Sequence, residues 1–200
     1  VLLRNTTRRV AYDKFYQNTV PGAVNAAMTT VALSAYRSAT DRVNLFNQTD
    51  ITATRRAGRV THTVLMGAEY GVQGTDNYRE TGYFNGTATS MSIPFDAPTV
   101  SAPVSFRQSA TDADNRAEAD VAAAYAQHQA TFGAHWQTIV GVRWDRFAMR
   151  VTDRRTRAEL HRTDANVSPR AGLVFKPVPA VSLYSSYGTS YLPSAGDQFS

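Results

Sequence analysis

Hydrophobic and polar positions alternate with a period of two along most of the chain, and the alternation breaks at short and long connections in turn. From Val43 to Thr54, Val43, Leu45, Ile51 and Ala53 share one parity, and Asn44, Gln48, Asp50, Thr52 and Thr54 the other. Side chains on a strand point alternately to its two faces, so this predicts a strand with one apolar and one polar face. A tight turn is expected at Ala57-Gly58-Arg59. Beyond it Val64, Met66, Ala68, Tyr70 and Val72 oppose Thr63, Gly67, Glu69, Gly71 and Gln73, completing a hairpin. Residues 136–149 set Trp136, Val140, Val142 and Trp144 against Gln137, Gly141, Arg143 and Asp145. Residues 167–176 set Val167, Ala171, Leu173 and Phe175 against Ser168, Arg170, Gly172 and Lys176, and a strand with Val181, Leu183, Tyr187 and Tyr191 follows the Pro177–Ala180 turn. Residues 4–16 form a less regular first strand.

The Ala-rich segment 115–131 is ambiguous alone. A helix would scatter Arg116, Glu118 and Asp120, whereas a strand gathers them on one face, opposite Ala117, Ala119, Val121, Ala123 and Tyr125. Its neighbours favour the strand. The result is about seven antiparallel strands, with short turns at 57–60, 133–135 and 177–180 and long connections at 17–42, 77–112 and 153–164. Short turns on one side and long loops on the other suit an all-β transmembrane barrel, as do strands longer than the usual five or six residues. Trp136, Trp144, Tyr70, Tyr125, Tyr187 and Tyr191 fall near strand ends, where interfacial aromatic girdles belong. A soluble β-sandwich, for instance one that binds carbohydrate, also alternates and is the alternative from another class.

Composition sharpens this picture. There is no Cys, 42% of residues are hydrophobic and mean hydropathy is -0.34, which excludes a disulfide scaffold and a helical membrane protein. A barrel escapes that exclusion, because its spans are only about 9–11 alternating residues. The net charge of +5 comes from 19 Arg and 2 Lys scattered among 16 acidic residues, with no basic stripe or module, so nucleic acid is not an expected partner. An Arg-rich interior offered to an anionic solute accounts for the same bias. The chain opens Val1-Leu2-Leu3-Arg4 with no signal peptide, as expected of a cut inside a longer protein.

Several segments resemble TonB-dependent siderophore receptors in the family's own order. Ser168-Pro169-Arg170-Ala171-Gly172-Leu173-Val174-Phe175-Lys176-Pro177, then Leu183–Gly188 and Leu192-Pro193-Ser194, look like a strand, periplasmic turn and next strand of that family. Gly141-Val142-Arg143-Trp144-Asp145-Arg146-Phe147, Leu65–Tyr70 and Asn44–Asp50 resemble further strands, and the likeness is closest to receptors for catecholate-type ferric siderophores. The resemblance implies a barrel of about 22 strands in the bacterial outer membrane around an N-terminal plug. Residues 1–200 would be a middle part of it, lacking plug and barrel ends. It further implies lipid and a ferric siderophore as partners, iron only as cargo, and energy from the TonB complex through the plug. Other cargoes, a glycan or a cobalamin, are the alternative within the family.

Candidate residues follow. Glu69, Arg116, Glu118, Asp120, Arg143, Asp145 and Arg170 are expected to line the lumen, as salt bridges in preference to acid–base pairs. Tyr78, Arg79, Tyr83, Phe84 and Arg107, in the long loop, offer aromatic faces and positive charge to a bulky anion. No catalytic signature such as G-x-S-x-G occurs. His62, His128, His135 and His161 lack metal-ligand spacing, so neither an enzyme nor a metal centre is expected.

Overall fold

The computed structural model describes residues 1–193; Ser194, in the last resembling segment, lies outside them. Seven long strands form one antiparallel meander: β1 (Leu2–Val24), β2 (Thr30–Ala57), β3 (Val60–Phe84), then β6 (Asp114–Phe132), β7 (Trp136–Asp153), β8 (Glu159–Val178) and β9 (Val181–Gly188). Two short strands lie between β3 and β6: β4 (Ser90–Pro94) pairs with β2, and β5 (Val104–Arg107) with β3. The Ala-rich segment is strand, and the absence of a second packed sheet among the described residues disposes of the sandwich. Gly58 and Gly133 take positive φ (60° and 58°) in the tight turns β2–β3 and β6–β7, a backbone state glycine adopts without steric cost.

Two expected long loops are strands instead. β1, β2 and β3 run 23, 28 and 25 residues, and the first hairpin turns only at 25–29. Likewise 153–164 is mostly strand around a turn at 154–158. A bilayer needs only about 9–11 residues of strand, so the remainder stands clear of it. There both faces meet water and alternation fades, while backbone pairing continues unbroken.

The pairing register sorts side chains onto two faces. Glu69 stands opposite Gln48 and Ala123, and Arg143 opposite Tyr125 and Ser168, so these share one face with Asp50, Asp145 and Arg170. Side chains on this face are the more shielded: Ala117, Ala119 and Ala123 are 4–5% exposed, as on the inside of a curved sheet. The outer face carries Met66, Tyr70, Val140, Trp144 and Val167, between 41% and 59% exposed. Such a continuous apolar belt belongs in lipid. At the short-turn end Phe132, Trp136 and Phe175 share the outer face, and the rings of the last two stack at 4.3 Å. Tyr70 and Trp144 bound the belt at the other end.

The register corrects the reading of β6. Arg116 pairs with Asp76, Glu118 with Gly74 and Asp120 with Val72, which puts the three charges on the outer face and the alanines inside. They lie above the apolar belt, where the outer face is wet and accepts charge, while the crowded inner face takes the small side chains. Tyr125 is likewise lumenal and not part of a girdle, Tyr187 sits at mid-belt opposite Ala171, and Tyr191 lines an inner recess with Arg143 and Asp164.

Above the belt β4 and β5 close a satellite core of Val31, Leu33, Ala35, Phe84 and Ile93, with Met91, Val104 and Phe106 packed against it. Segment 85–113 is therefore a folded flap. Asp112 anchors its return, accepting from the backbone N–H groups of Thr81 (2.9 Å) and Ser109 (2.8 Å) and from the Thr81 hydroxyl.

Candidate functional site

Two clusters occupy the inner face. The lower lies at the level of the belt. The Tyr125 hydroxyl donates to the Asp50 carboxylate, and Gln48 Nε2 donates to the Tyr125 oxygen at 2.9 Å. Arg143 donates to Glu69 at 2.6 Å and to Asp145 at 2.8 Å, with its guanidinium 5.4 Å from the Tyr125 ring centre. The alternation placed these polar groups on β2, β3, β6 and β7, and the register brought them together. Glycine makes the crossing possible: a Cβ at Gly67 would collide with the Tyr125 ring, and one at Gly71 with the Phe46 ring. Aromatic rings laid over cross-strand glycines also pin register. Arg170 lies across Gly141 and makes no ion pair among the described residues, leaving a guanidinium at a recess of about 450 Å³ lined also by Asp50, Glu69, Tyr125 and Arg143.

The upper cluster stands on the extensions of β1, β2 and β3, roughly 25–45 Å along the strand from Asp50 at about 3.3 Å per residue. Tyr12, Lys14, Tyr16 and Asn18 of β1 face the same side as Tyr36 and Arg42 of β2 and Arg79 of β3. Tyr16 meets Tyr36 edge to face at 5.8 Å. Lys14 lies 4.9 Å from the Tyr16 ring, Arg79 4.1 Å from Tyr36 and Arg42 5.5 Å from Tyr12. Cations over ring faces are held by the ring quadrupole, and Arg42 also donates to the Thr75 hydroxyl at 2.9 Å. Arg79 also reaches Asp112 at 3.4 Å. Burial pushes the Asp112 carboxyl up, but the hydrogen bonds from Ser109 and Thr81 outweigh it and hold the group below the usual carboxylate range.

The loop residues named from sequence do not converge. Arg79 belongs to the upper cluster. Arg107 lies 3.5 Å from the Tyr83 ring and donates to the Gly86 carbonyl at 3.0 Å, forming a separate pair between the flap and the end of β3. Tyr78 is on the outer face, and Phe84 is wholly buried in the flap core, out of reach of any solute. Sequence reasoning missed Tyr36 and Arg42 because residues 17–42 looked like loop, and Tyr12, Lys14 and Tyr16 because residues 4–16 read only as a less regular strand. The even spacing of Tyr12, Lys14 and Tyr16 was the available signal. His62 Nδ1 and His128 Nε2, 66 residues apart, meet at 3.0 Å on the outer face.

Long strands, a lipid-facing apolar belt and a charged inner face define an outer-membrane-type β-barrel wall. Residues 2–200 match the family described as TonB dependent receptor-like, beta-barrel, and the chain belongs to that family. It is 28% identical over 169 residues to the probable TonB-dependent receptor BfrD of Bordetella pertussis, covering 74% of this chain and 22% of that protein. It is 27% identical over 172 residues to the probable TonB-dependent siderophore receptor PiuA of Acinetobacter baumannii, covering 77% and 23%. The chain thus spans less than a quarter of the length of these relatives. The crystal structure of PiuA superposes with a TM-score of 0.82 at 21% identity, covering 98% of this chain and 30% of PiuA. The closed form of the ferric-catecholate import receptor Fiu from E. coli gives 0.74 at 20% identity, covering 99% and 31%. These relatives are named as receptors, and the chain is a segment of that family's barrel wall.

Proposed function

We propose that this chain forms part of the wall of an outer-membrane receptor that imports ferric siderophores, energised by TonB through parts of the protein outside these 200 residues. The observation that carries this reading is the upper cluster, in which three tyrosine rings and three cations share one lumenal surface above the membrane. A ferric catecholate is bulky, anionic and aromatic, so rings meet its faces and Arg and Lys meet its charge. The relative PiuA, named a siderophore receptor, supports the same cargo class. Arg79 joins this surface, and Tyr83 and Arg107 extend recognition into the flap. The lower cluster with Arg170 lines the passage below.

The test is binding of a ferric catecholate to the full-length receptor in detergent, read by titration against Tyr16→Ala, Tyr36→Ala and the pair. Each ring removed is expected to weaken binding on the order of tenfold, from a stacking or cation–π contribution of about 1 kcal/mol or more. Unchanged affinity in the double variant, or preferential binding of cobalamin or a glycan in competition, would refute the reading.

A further inference from the structure

The outward face of β1 and β2 carries a polar cluster that the transport reading does not use. On β2 the outward positions run Val43, Leu45, Asn47, Thr49, Ile51 and Ala53, so two polar residues interrupt the apolar stripe between two pairs of apolar ones. Asn47 stands opposite Tyr70 and Thr49 opposite Ala68, which turns both toward lipid. On β1, Asn5 stands opposite Thr49 and Thr7 opposite Asn47. The four side chains close a ring. Asn5 Nδ2 donates to Asn47 Oδ1 at 3.2 Å and to Thr49 Oγ1 at 2.7 Å, and Asn47 Nδ2 donates to Asn5 Oδ1 at 3.2 Å and to Thr7 Oγ1 at 2.7 Å. Two Asn-x-Thr triplets paired antiparallel give this ring a local two-fold axis perpendicular to the sheet. Two amides and two hydroxyls carry six donor hydrogens, and the ring's four bonds use four of them. The two hydroxyl hydrogens meet no acceptor among the described residues. Turning both amides over would shift the deficit to two amide hydrogens without removing it. Hydrocarbon offers such donors nothing, and leaving them there unpaired is costly.

We propose that this ring is the centre of a contact with a second copy of the receptor, side by side in the membrane. Complementarity selects the occupant. The ring presents two spare donors beside oxygens that keep spare lone pairs, so an identical ring facing it supplies an acceptor for each donor and has the same need met in return. A two-fold axis along the membrane normal keeps both copies upright and makes the contact isologous, with each patch meeting its own kind. Because the ring is itself two-fold symmetric, each half of one ring meets an equivalent half of the other. Around it Leu3, Leu45, Ile51 and Met66, each 44–66% exposed, meet a partner's apolar side chains much as they meet lipid tails. Hydrogen bonding, and not apolar burial, therefore favours the partner over lipid. The proposal rests on the belt lying in the bilayer and is independent of the siderophore cargo.

The experiment is cysteine cross-linking of the full-length receptor in native outer membranes, read as the mass of the cross-linked species against the receptor without an added cysteine. Ile51→Cys places a reporter beside the ring, and Val167→Cys places a control on the same apolar belt at β8. A two-fold axis along the normal brings the reporters of two copies together at one depth, so Ile51→Cys is expected to give a homodimer and Val167→Cys none. In the Ile51→Cys background, N5L/N47L is expected to lower the dimer yield on the order of tenfold or more, as the ring's hydrogen bonds to the partner are lost. T7V/T49V, which removes the hydroxyls at nearly constant shape, should act in the same direction and keeps the test open if the leucine variant does not reach the membrane. Ferric siderophore binding should stay unchanged in both, which separates failure of this proposal from failure of the transport reading. Dimer yield indifferent to both double variants, or equal cross-linking at the two reporter positions, would overturn the proposal. So would a cross-link from Ile51→Cys to a protein of another mass in place of the homodimer.

Discussion

Tyr125 of β6 reaches across Gly67 of β3 to donate its hydroxyl to Asp50 of β2, tying three neighbouring strands on the lumenal face. The contact depends on the missing side chain at Gly67, since any Cβ there would strike the ring. Gly67→Val is expected to destabilise the full-length receptor by about 1–3 kcal/mol through overpacking. Tyr125→Phe, which loses only the hydroxyl's hydrogen bonds, is expected to cost about 0.5–1.5 kcal/mol. Urea-induced unfolding in detergent or lipid checks both. A Gly67→Val protein as stable as wild type would show that the ring does not lie over Gly67.

The face assignment makes a second prediction. Met66 and Glu69 are three residues apart on β3 and face lipid and lumen respectively. Met66→Arg is expected to cost about 2–4 kcal/mol near mid-membrane, whereas Glu69→Gln leaves a polar group in a polar lumen and costs less. The two tryptophans report the same geometry: Trp136 and Trp144 should be quenched strongly by brominated lipid and weakly by aqueous iodide. The reverse order would invert the faces.

A third prediction concerns the flap. Its return is tied to β3 through Asp112, whose pKa is lowered on folding by Ser109 and Thr81 despite burial. A carboxyl with a depressed folded pKa contributes stability above its unfolded value, about 3.9, and loses it as pH falls through the folded value. The flap should therefore stay closed across neutral and mildly acid pH and open only below about pH 4. Asp112→Ala should open it at pH 7. Limited proteolysis within 85–113 reads this, and so does Phe84→Ala, which empties the flap core. An Asp112→Ala protein as protease-resistant as wild type at pH 7 would contradict the anchoring role.

Alternation alone located β2, β3, β7 and β8 and assigned their faces, because within the hydrocarbon layer one face must be apolar. The same rule failed on β6 at Arg116, Glu118 and Asp120, which lie beyond that layer, where an outward charge costs nothing. Strand length was illegible for a related reason: above the belt the hydrogen bonds of residues 17–42 are backbone to backbone, and no side-chain period records them. The lower cluster was half legible, with Glu69, Arg143, Asp145 and Arg170 on the expected face, but Asp50 meets Tyr125 only through a register that spacing does not encode. The contacts of Tyr16 with Tyr36, and of His62 with His128, were hidden in the same way. Phe84 looked like a binding aromatic because a loop residue reads as exposed until a core forms beneath it.

The most direct test of the transport account is uptake of radiolabelled ferric catecholate by bacteria that depend on the full-length receptor for iron, with and without TonB. The account predicts uptake that requires TonB and falls sharply in the Tyr16→Ala/Tyr36→Ala double variant while receptor levels in the outer membrane stay normal. Iron uptake that persists without TonB, or is indifferent to both tyrosines, would contradict it.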